Sequence, residues 1–171
     1  MREYFKIGKL VATYGFKGDM ILKHDLGKKT AFKDLKSFFI EEKRDVFIPV
    51  FIQSVKVKSP SENYLKLEGI DTKEKGHNFL QKEIWLLEND FKKLAAAKAP
   101  ISLIGYSIIN NDIALGDIME VIEQPHQLLC KIIINVKEVL IPIHEDFVKK
   151  IDKKKKQITV DLPDGLLEIY S

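Results

Sequence analysis

A chain of 171 residues with one cysteine cannot form an internal disulfide or a cysteine-cluster metal site. That residue, Cys130, sits in the apolar run Leu128-Leu129-Cys130-Lys131-Ile132-Ile133-Ile134. A thiol there behaves as a small buried hydrophobe, and a reducing compartment suits it. Long apolar runs are also missing, and none approaches the roughly 18 residues of a spanning helix. Residues 1–15 are broken by Arg2, Glu3, Lys6 and Lys9, so no export signal is expected. The expectation is a soluble, cytoplasmic protein with no membrane partner. The four histidines, His24, His77, His126 and His144, show no metal-ligand spacing. There is no Gly-x-Ser-x-Gly elbow and no Walker loop. These absences leave no motif for catalysis, no metal and no cofactor.

What is present is ordinary for a folded protein: 45% apolar and 31% charged residues. The length fits one domain or two small ones. The net charge of +3 conceals an asymmetry. Residues 1–88 hold 17 basic and 13 acidic side chains, while residues 89–171 hold 11 and 12. The first 36 residues alone hold 9 and 4. A basic N-terminal end suits phosphate; the near-neutral second half does not require it.

One stretch stands out, Gly8-Lys9-Leu10-Val11-Ala12-Thr13-Tyr14-Gly15-Phe16-Lys17-Gly18-Asp19-Met20-Ile21-Leu22-Lys23. Its glycines do not match Gly-x-Gly-x-x-Gly, and no long helix follows Gly18, which argues against nucleotide binding. Two apolar runs around a glycine-shaped loop read as a β-hairpin. Tyr14, Phe16 and Lys17 at its tip offer stacking and charge to RNA, although one aromatic folding inward as a barrel plug fits the residues equally.

Short strands follow: 4–12, 20–22, 38–40, 46–58, 64–67 and 83–87. Pro49 marks an edge or a bulge. Thr30 is placed to cap a short helical turn through Asp34. Asp71-Thr72-Lys73-Glu74 has a capping-box pattern with Asp71 as cap, opening a helix to about Phe79 that Gly76 shortens. This spacing predicts a small barrel over residues 1–88. Residues 89–98 read as one or two helical turns and then a linker. Residues 99–171 predict a second barrel, with strands near 106–109, 114–122, 128–134, 139–143 and 158–160. A helical turn is expected over 144–151, and a charged hairpin tip at Lys153-Lys154-Lys155-Lys156. That tip, with Lys149 and Lys150, either touches phosphate or blunts a sheet edge.

Taken in order, these motifs resemble the bacterial ribosome maturation factor RimM family. The resemblance rests on Gly8 to Val11 with Gly15-Phe16-Lys17-Gly18-Asp19-Met20-Ile21, on Leu65-Lys66-Leu67-Glu68-Gly69-Ile70-Asp71 with Glu83-Ile84-Trp85, on Leu103-Ile104-Gly105-Tyr106 with Leu115-Gly116-Asp117-Ile118 and Val139-Leu140-Ile141-Pro142, and on Ile158 to Leu167. It implies a mostly β protein, with an N-terminal translation-factor-like barrel and a C-terminal PRC barrel. It implies a monomeric, non-catalytic factor that binds ribosomal protein nineteen of the small subunit, in the head. The factor would assist assembly of the 30S subunit and processing of its 16S rRNA. Lys9, Tyr14, Gly15, Phe16, Lys17, Gly18 and Lys23 would face the pre-30S particle. Ile104, Gly105, Tyr106 and Pro142 would form the protein-partner surface.

Two departures qualify this. Many members carry Pro-His where this chain has Thr13-Tyr14. Many also carry an aromatic group where this chain has Lys98-Ala99-Pro100-Ile101-Ser102, so that partner contact is not carried over. Phe91 and Tyr106 are the nearest aromatics, and neither is at the matched place. An alternative of another class is a small-ligand-binding two-barrel module, since fold does not fix function. A weaker one is a hydrolase built on His144, Glu145 and Asp146.

Overall fold

A computed structural model of the chain describes residues 4–97 and 99–170. Arg2, Glu3, Lys98 and the last residue of the second expected barrel, Ser171, lie outside them. The chain divides into two compact units, one ending at Ala99 and the next beginning at Pro100. Among the described residues no helix is long and apolar enough to cross a membrane.

The first unit is built from six strands, β1 (Tyr4–Tyr14), β2 (Asp19–His24), β3 (Ser37–Lys43), β4 (Val46–Ser59), β5 (Glu62–Leu67) and β6 (Glu83–Leu87). They pair in the order β1-β2-β5-β4-β3-β6, and β6 returns to β1 to close the barrel. Alternation in the sequence becomes alternation in burial. Phe5, Ile7, Leu10, Met20, Leu22, Phe38, Ile40, Leu65 and Leu67 point inward. Each such side chain, fully buried, contributes about 1.5–3 kcal/mol. β1 is shared by two neighbours and slips register after Lys6 against β6 and after Leu10 against β2. Such bulges let a long strand bend around a small barrel.

β4 is one continuous strand through Pro49, paired with β3 as far as Phe51 and with β5 from Ile52. Pro49 therefore lies where β4 has one neighbour, as a residue without an N–H requires. Two local expectations fail. Residues 30–34 form no helical turn. The Thr30 hydroxyl donates to the Lys28 carbonyl, and the Thr30 carbonyl accepts from Asn63 Nδ2 at 2.8 Å. The segment is fixed by Phe32, a buried plug edge-on to Phe38 at 5.2 Å, held at φ +49. Burial of the ring overrides the local helical signal.

The helix α1 (Lys73–His77) is capped by Thr72, not Asp71. Thr72 Oγ1 accepts the Lys75 N–H at 3.2 Å, while Asp71 pairs with Lys75 Nζ at 2.7 Å. The Lys75 ammonium holds the exposed Asp71 carboxyl below the usual range. Helix α2 (Glu88–Leu94) occupies the expected linker. Its Phe91 is buried and stacks on Phe5 at 5.0 Å, and the Ala96 N–H donates to the Leu26 carbonyl at 2.8 Å. These described residues are packed on the first unit, because one aromatic face outweighs the alanine-rich appearance of the stretch.

The second unit holds β7 (Ser107–Asn110), β8 (Ile113–Asp117), β9 (Glu120–Gln124), β10 (Gln127–Ile134), β11 (Lys137–Ile143), β12 (Val148–Asp152) and β13 (Gln157–Val160). They form two sheets, ordered β11-β10-β9 and β12-β13-β7-β8. The sheets meet where β8 passes β10; a Cβ on Gly116 would lie 3.2 Å from the Ile133 carbonyl oxygen. Ile108, Ile158 and Val160 from one sheet join Cys130, Ile132, Val139 and Ile141 from the other in the core. Burial pushes the Cys130 thiol up to about 12, so it is inert. Residues 144–147 make a single turn before β12, and the chain ends in a 3-10 turn over Glu168–Tyr170.

Two features carry testable consequences. The two-residue turn between β10 and β11 has Asn135 at φ +50 and Val136 at φ +70. Asparagine tolerates that region, but a β-branched residue does not. Val136 is also 75% exposed, so its side chain gains little from packing. Val136→Gly is expected to stabilise the second unit by about 0.5–1 kcal/mol, read from the midpoint of urea unfolding. His24 ends β2 fully buried, with Nδ1 accepting the Leu26 N–H at 3.3 Å. Burial holds its pKa below 6.5, against smaller opposing pulls from Asp25 and the Asn63 side chain. The native state therefore prefers the neutral ring, and the unfolded chain takes up the proton first as pH falls. Stability should be full above about pH 6.5 and decline below it. Melting curves at pH 7, 6 and 5 will show this slope, and His24→Gln should flatten it.

Candidate RNA-facing surface

The glycine-shaped loop is the tip of the β1–β2 hairpin, residues 15–18, closed by the pair Tyr14 and Asp19. Gly15 and Gly18 both have positive φ, +66 and +81. They differ in surroundings. A Cβ on Gly15 would meet nothing within 4 Å, whereas one on Gly18 would lie 2.5 Å from the Ile70 carbonyl oxygen and 2.9 Å from its carbon. The tip is thus docked backbone to backbone on the segment that leads into α1. Gly76 completes the seat, since a Cβ there would stand 3.4 Å from Thr13 Cγ2 and 3.5 Å from the Gly18 oxygen. A Cβ at that position would make ordinary contact, so α1 packs on the hairpin without requiring a glycine there. Lys66 Nζ donates to the Lys17 carbonyl and ties the tip to β5.

Held this way, the tip displays its side chains. Phe16 is 85% exposed and Tyr14 55% exposed. The Tyr14 ring lies against that of Tyr64, centroids 4.6 Å apart. The plug of this barrel is Phe32, from a loop that sequence reasoning assigned elsewhere.

The same face continues down the barrel wall. Lys9 and Lys23 sit opposite each other across β1 and β2, both exposed. They are five residues from the tip, about 15 Å away along the strand. Like charges placed opposite destabilise a sheet slightly, and each lysine also faces a carboxylate on its other side, Lys9 opposite Glu83 of β6 and Lys23 opposite Glu62 of β5. In the next register positions Ile21 faces Tyr64, and Tyr64 faces Lys56. Lys58 is partly neutralised by Glu62 at 2.5 Å, and Lys6 pairs with Glu83 at 3.2 Å. The surface therefore gathers Lys9, Lys17, Lys23, Lys56 and Lys66 around two tyrosines and a phenylalanine. Tyr64, Lys56 and Lys66 were not singled out from the sequence. The signal was there: Tyr64-Leu65-Lys66-Leu67 and Val55-Lys56-Val57-Lys58 alternate, which puts the tyrosine and the lysines on the wet face.

The second expected surface is not assembled in the same way. Ile104 is 7% exposed and belongs to the core, which removes it from any contact surface. Gly105 is exposed at φ +86, and its N–H donates to the Ile118 carbonyl at 2.8 Å. Tyr106 is half-buried just before β7. Pro142 is in β11, the edge strand of the other sheet, opposite Leu129. His144 Nδ1 accepts the Asp146 N–H at 3.3 Å, and the His144 carbonyl accepts from Phe147 and Val148. The His144, Glu145 and Asp146 cluster thus shapes an exposed turn. Among the described residues no group of three or more metal-binding side chains comes together. Near β4 and α1, Pro49, Phe51, Leu67, Ile70 and Phe79 border a cleft of about 320 Å³ whose polar groups, Glu68, Lys75 and Asn78, are exposed.

The contrast between the two loop glycines predicts unequal costs. Gly15→Ala should lose about 1–2 kcal/mol, the left-handed penalty alone. Gly18→Ala should lose that and more, because a backbone atom occupies the space of its methyl. Thermal unfolding of the two variants in parallel checks the order; equal losses would mean the tip is not docked.

Comparison with known proteins gives the family of both units. Residues 5–91 match the family model described as the RimM N-terminal domain, and residues 100–166 match that of the RimM PRC barrel domain. Curated relatives align over nearly their whole length. The ribosome maturation factor RimM of Clostridium botulinum is 37% identical over 166 residues, 94% of each chain. That of Phocaeicola vulgatus is 31% identical over 176 residues, 96% of this chain and 97% of its own. That of Christiangramia forsetii is 29% identical over 170 residues, 98% and 97%. Two domain matches in order, with full-length relatives, place this chain in the RimM family of ribosome maturation factors.

Proposed function

We propose that this protein is a non-catalytic assembly factor of the small ribosomal subunit, touching RNA with the outer face of its first barrel and a head protein with its second unit. The observation that carries the reading is the basic, aromatic surface of the first unit. Lys17, Lys56 and Lys66 lie along the paired Tyr14 and Tyr64 rings and the exposed Phe16, and Lys9 and Lys23 continue the same face about 15 Å further along the strands. Lysines supply a salt-dependent attraction to phosphate, and exposed rings supply base stacking at about 1–3 kcal/mol each. The docked tip holds the backbone that carries Tyr14, Phe16 and Lys17, so less ordering entropy opposes association.

The partner of the second unit is read from charge and from the family resemblance. Outside residues 149–156, residues 100–171 carry two lysines against ten carboxylates. An acidic surface of this kind complements a basic ribosomal protein. Ribosomal protein nineteen of the small subunit, in the head, is the expected partner, with Gly105, Tyr106 and Pro142 as the candidate contact.

Sedimentation tests the reading. The protein should travel with immature small subunits at low salt, and the full chain should retain the head protein in a pull-down. Combined Lys9→Gln, Lys17→Gln and Lys23→Gln should weaken subunit binding and make its dependence on salt shallower by about two in log–log slope. An unchanged slope would remove the first barrel from the RNA contact. A wild-type protein that stays at the top of the gradient would remove the function itself.

A further inference from the structure

The second unit is acidic except in one place. Residues 100–171 contain eight lysines and eleven acidic residues, and six of the lysines fall between Lys149 and Lys156. Within that stretch the six face a single carboxylate, Asp152. Of the two lysines elsewhere, Lys131 is engaged by Glu120 at 2.7 Å and Glu138 at 3.5 Å. So nearly all the unsatisfied positive charge of this unit is concentrated in one hairpin.

Protection of a sheet edge accounts for part of it. β12 is an edge strand, and lysines on an edge discourage pairing with another chain. Lys149 and Lys150 serve that purpose and have acidic neighbours, Asp161 at 3.4 Å and Asp152 at 3.6 Å. Lys153, Lys154, Lys155 and Lys156 do not fit this account. They form the turn between β12 and β13, where there is no ladder to protect. All four are exposed, and among the described residues no carboxylate lies within ion-pair distance of them.

The turn that carries them is fixed. Asp152 Oδ1 accepts the N–H groups of Lys154 at 3.0 Å and Lys155 at 2.9 Å. Lys156 closes the turn at φ +51, and its carbonyl accepts the Ser107 N–H at 2.9 Å, which ties the tip to β7. Four ammonium groups outside any ion pair, of which Lys155 alone helps the backbone N–H groups to hold the Asp152 carboxyl below its usual range, sit on an anchored turn, an arrangement for a dense line of negative charge. Folded RNA offers that line, with phosphates at regular spacing. A membrane contact would call for several apolar side chains beside the charge; the four turn positions have none, and a single exposed isoleucine, Ile151, precedes them.

We propose that the Lys153–Lys156 turn is a second RNA contact, a phosphate-binding finger on the unit otherwise suited to protein. This inference rests on the reading that the protein works on pre-ribosomal particles. The test uses the full chain and a transcript of the head domain of 16S ribosomal RNA, titrated between 50 and 200 mM potassium chloride. Replacing Lys153, Lys154 and Lys155 by glutamine should make the log–log salt slope shallower by about two and lower affinity at 50 mM at least about tenfold. The triple arginine variant should bind as wild type, and Lys154→Gln alone should give about a third of the change. A glutamine variant that keeps the wild-type slope overturns the finger. So does an arginine variant as weak as the glutamine one, which would make the effect one of folding. Wild-type protein that binds anionic vesicles but not the transcript also overturns it. If the transcript is not bound while the protein still sediments with immature subunits, the finger fails and the assembly function stands. Loss of sedimentation as well removes both.

Discussion

At Gly18 two stretches of backbone approach closer than a methyl group would allow, and the candidate surface of the first unit depends on that contact. The hairpin tip has four residues and no core of its own. It is kept in place by the Ile70 carbonyl beneath Gly18, by the glycine of α1 beside it, and by the Lys66 ammonium on the Lys17 carbonyl. Without these the tip would be a mobile loop with two exposed aromatics, and binding would have to order it. With them, Tyr14, Phe16 and Lys17 form part of the barrel's rigid outer wall. Gly18, not Gly76, is the glycine the seat requires, since a Cβ on Gly76 would stand at ordinary contact distance from the hairpin.

The family and the β-class were legible in the sequence because both follow from local patterns. Period-two alternation gave the strands of the first unit, and the glycines of residues 8–18 gave its first hairpin. The misreadings came where a tertiary demand overrode a local one. Thr30 looks like a helix cap, but Phe32 two residues on is needed inside the barrel. Asp71 looks like a better cap than Thr72, yet it is spent on Lys75 instead. Residues 89–98 read as one or two helical turns and then a linker; the turns are present as α2, and Phe91 stacked on Phe5 packs them on the barrel. Ile104 carries a family motif, and its burial shows that a motif can mark packing and not contact.

The candidate surface was half legible. Tyr14, Phe16 and Lys17 were visible because glycines marked their loop. Tyr64, Lys56 and Lys66 were hidden because which strands become neighbours is decided by barrel order, which places β5 beside β2 across about forty residues of chain. Alternation tells which side of a strand is wet; only pairing tells which wet sides adjoin. The same holds for charge. A net value near zero for residues 89–171 conceals an acidic body and a basic tip, and the two have different chemistry to offer.

The parallel pairing of β13 with β7 has a bearing on when the protein becomes competent. Gln157 lies opposite Ser107, about fifty residues apart in the chain. During synthesis from the N-terminus, β7 emerges well before the strand it needs. At about 5–20 residues per second the interval is roughly 2.5–10 s. The first barrel has its own long closure, β6 onto β1 with Tyr4 opposite Leu87, but all six of its strands are made by Leu87, well before β13. A nascent chain therefore owns the candidate surface of the first barrel before the second unit can close its sheet. A truncated product of the same gene would keep the first surface and lose the second.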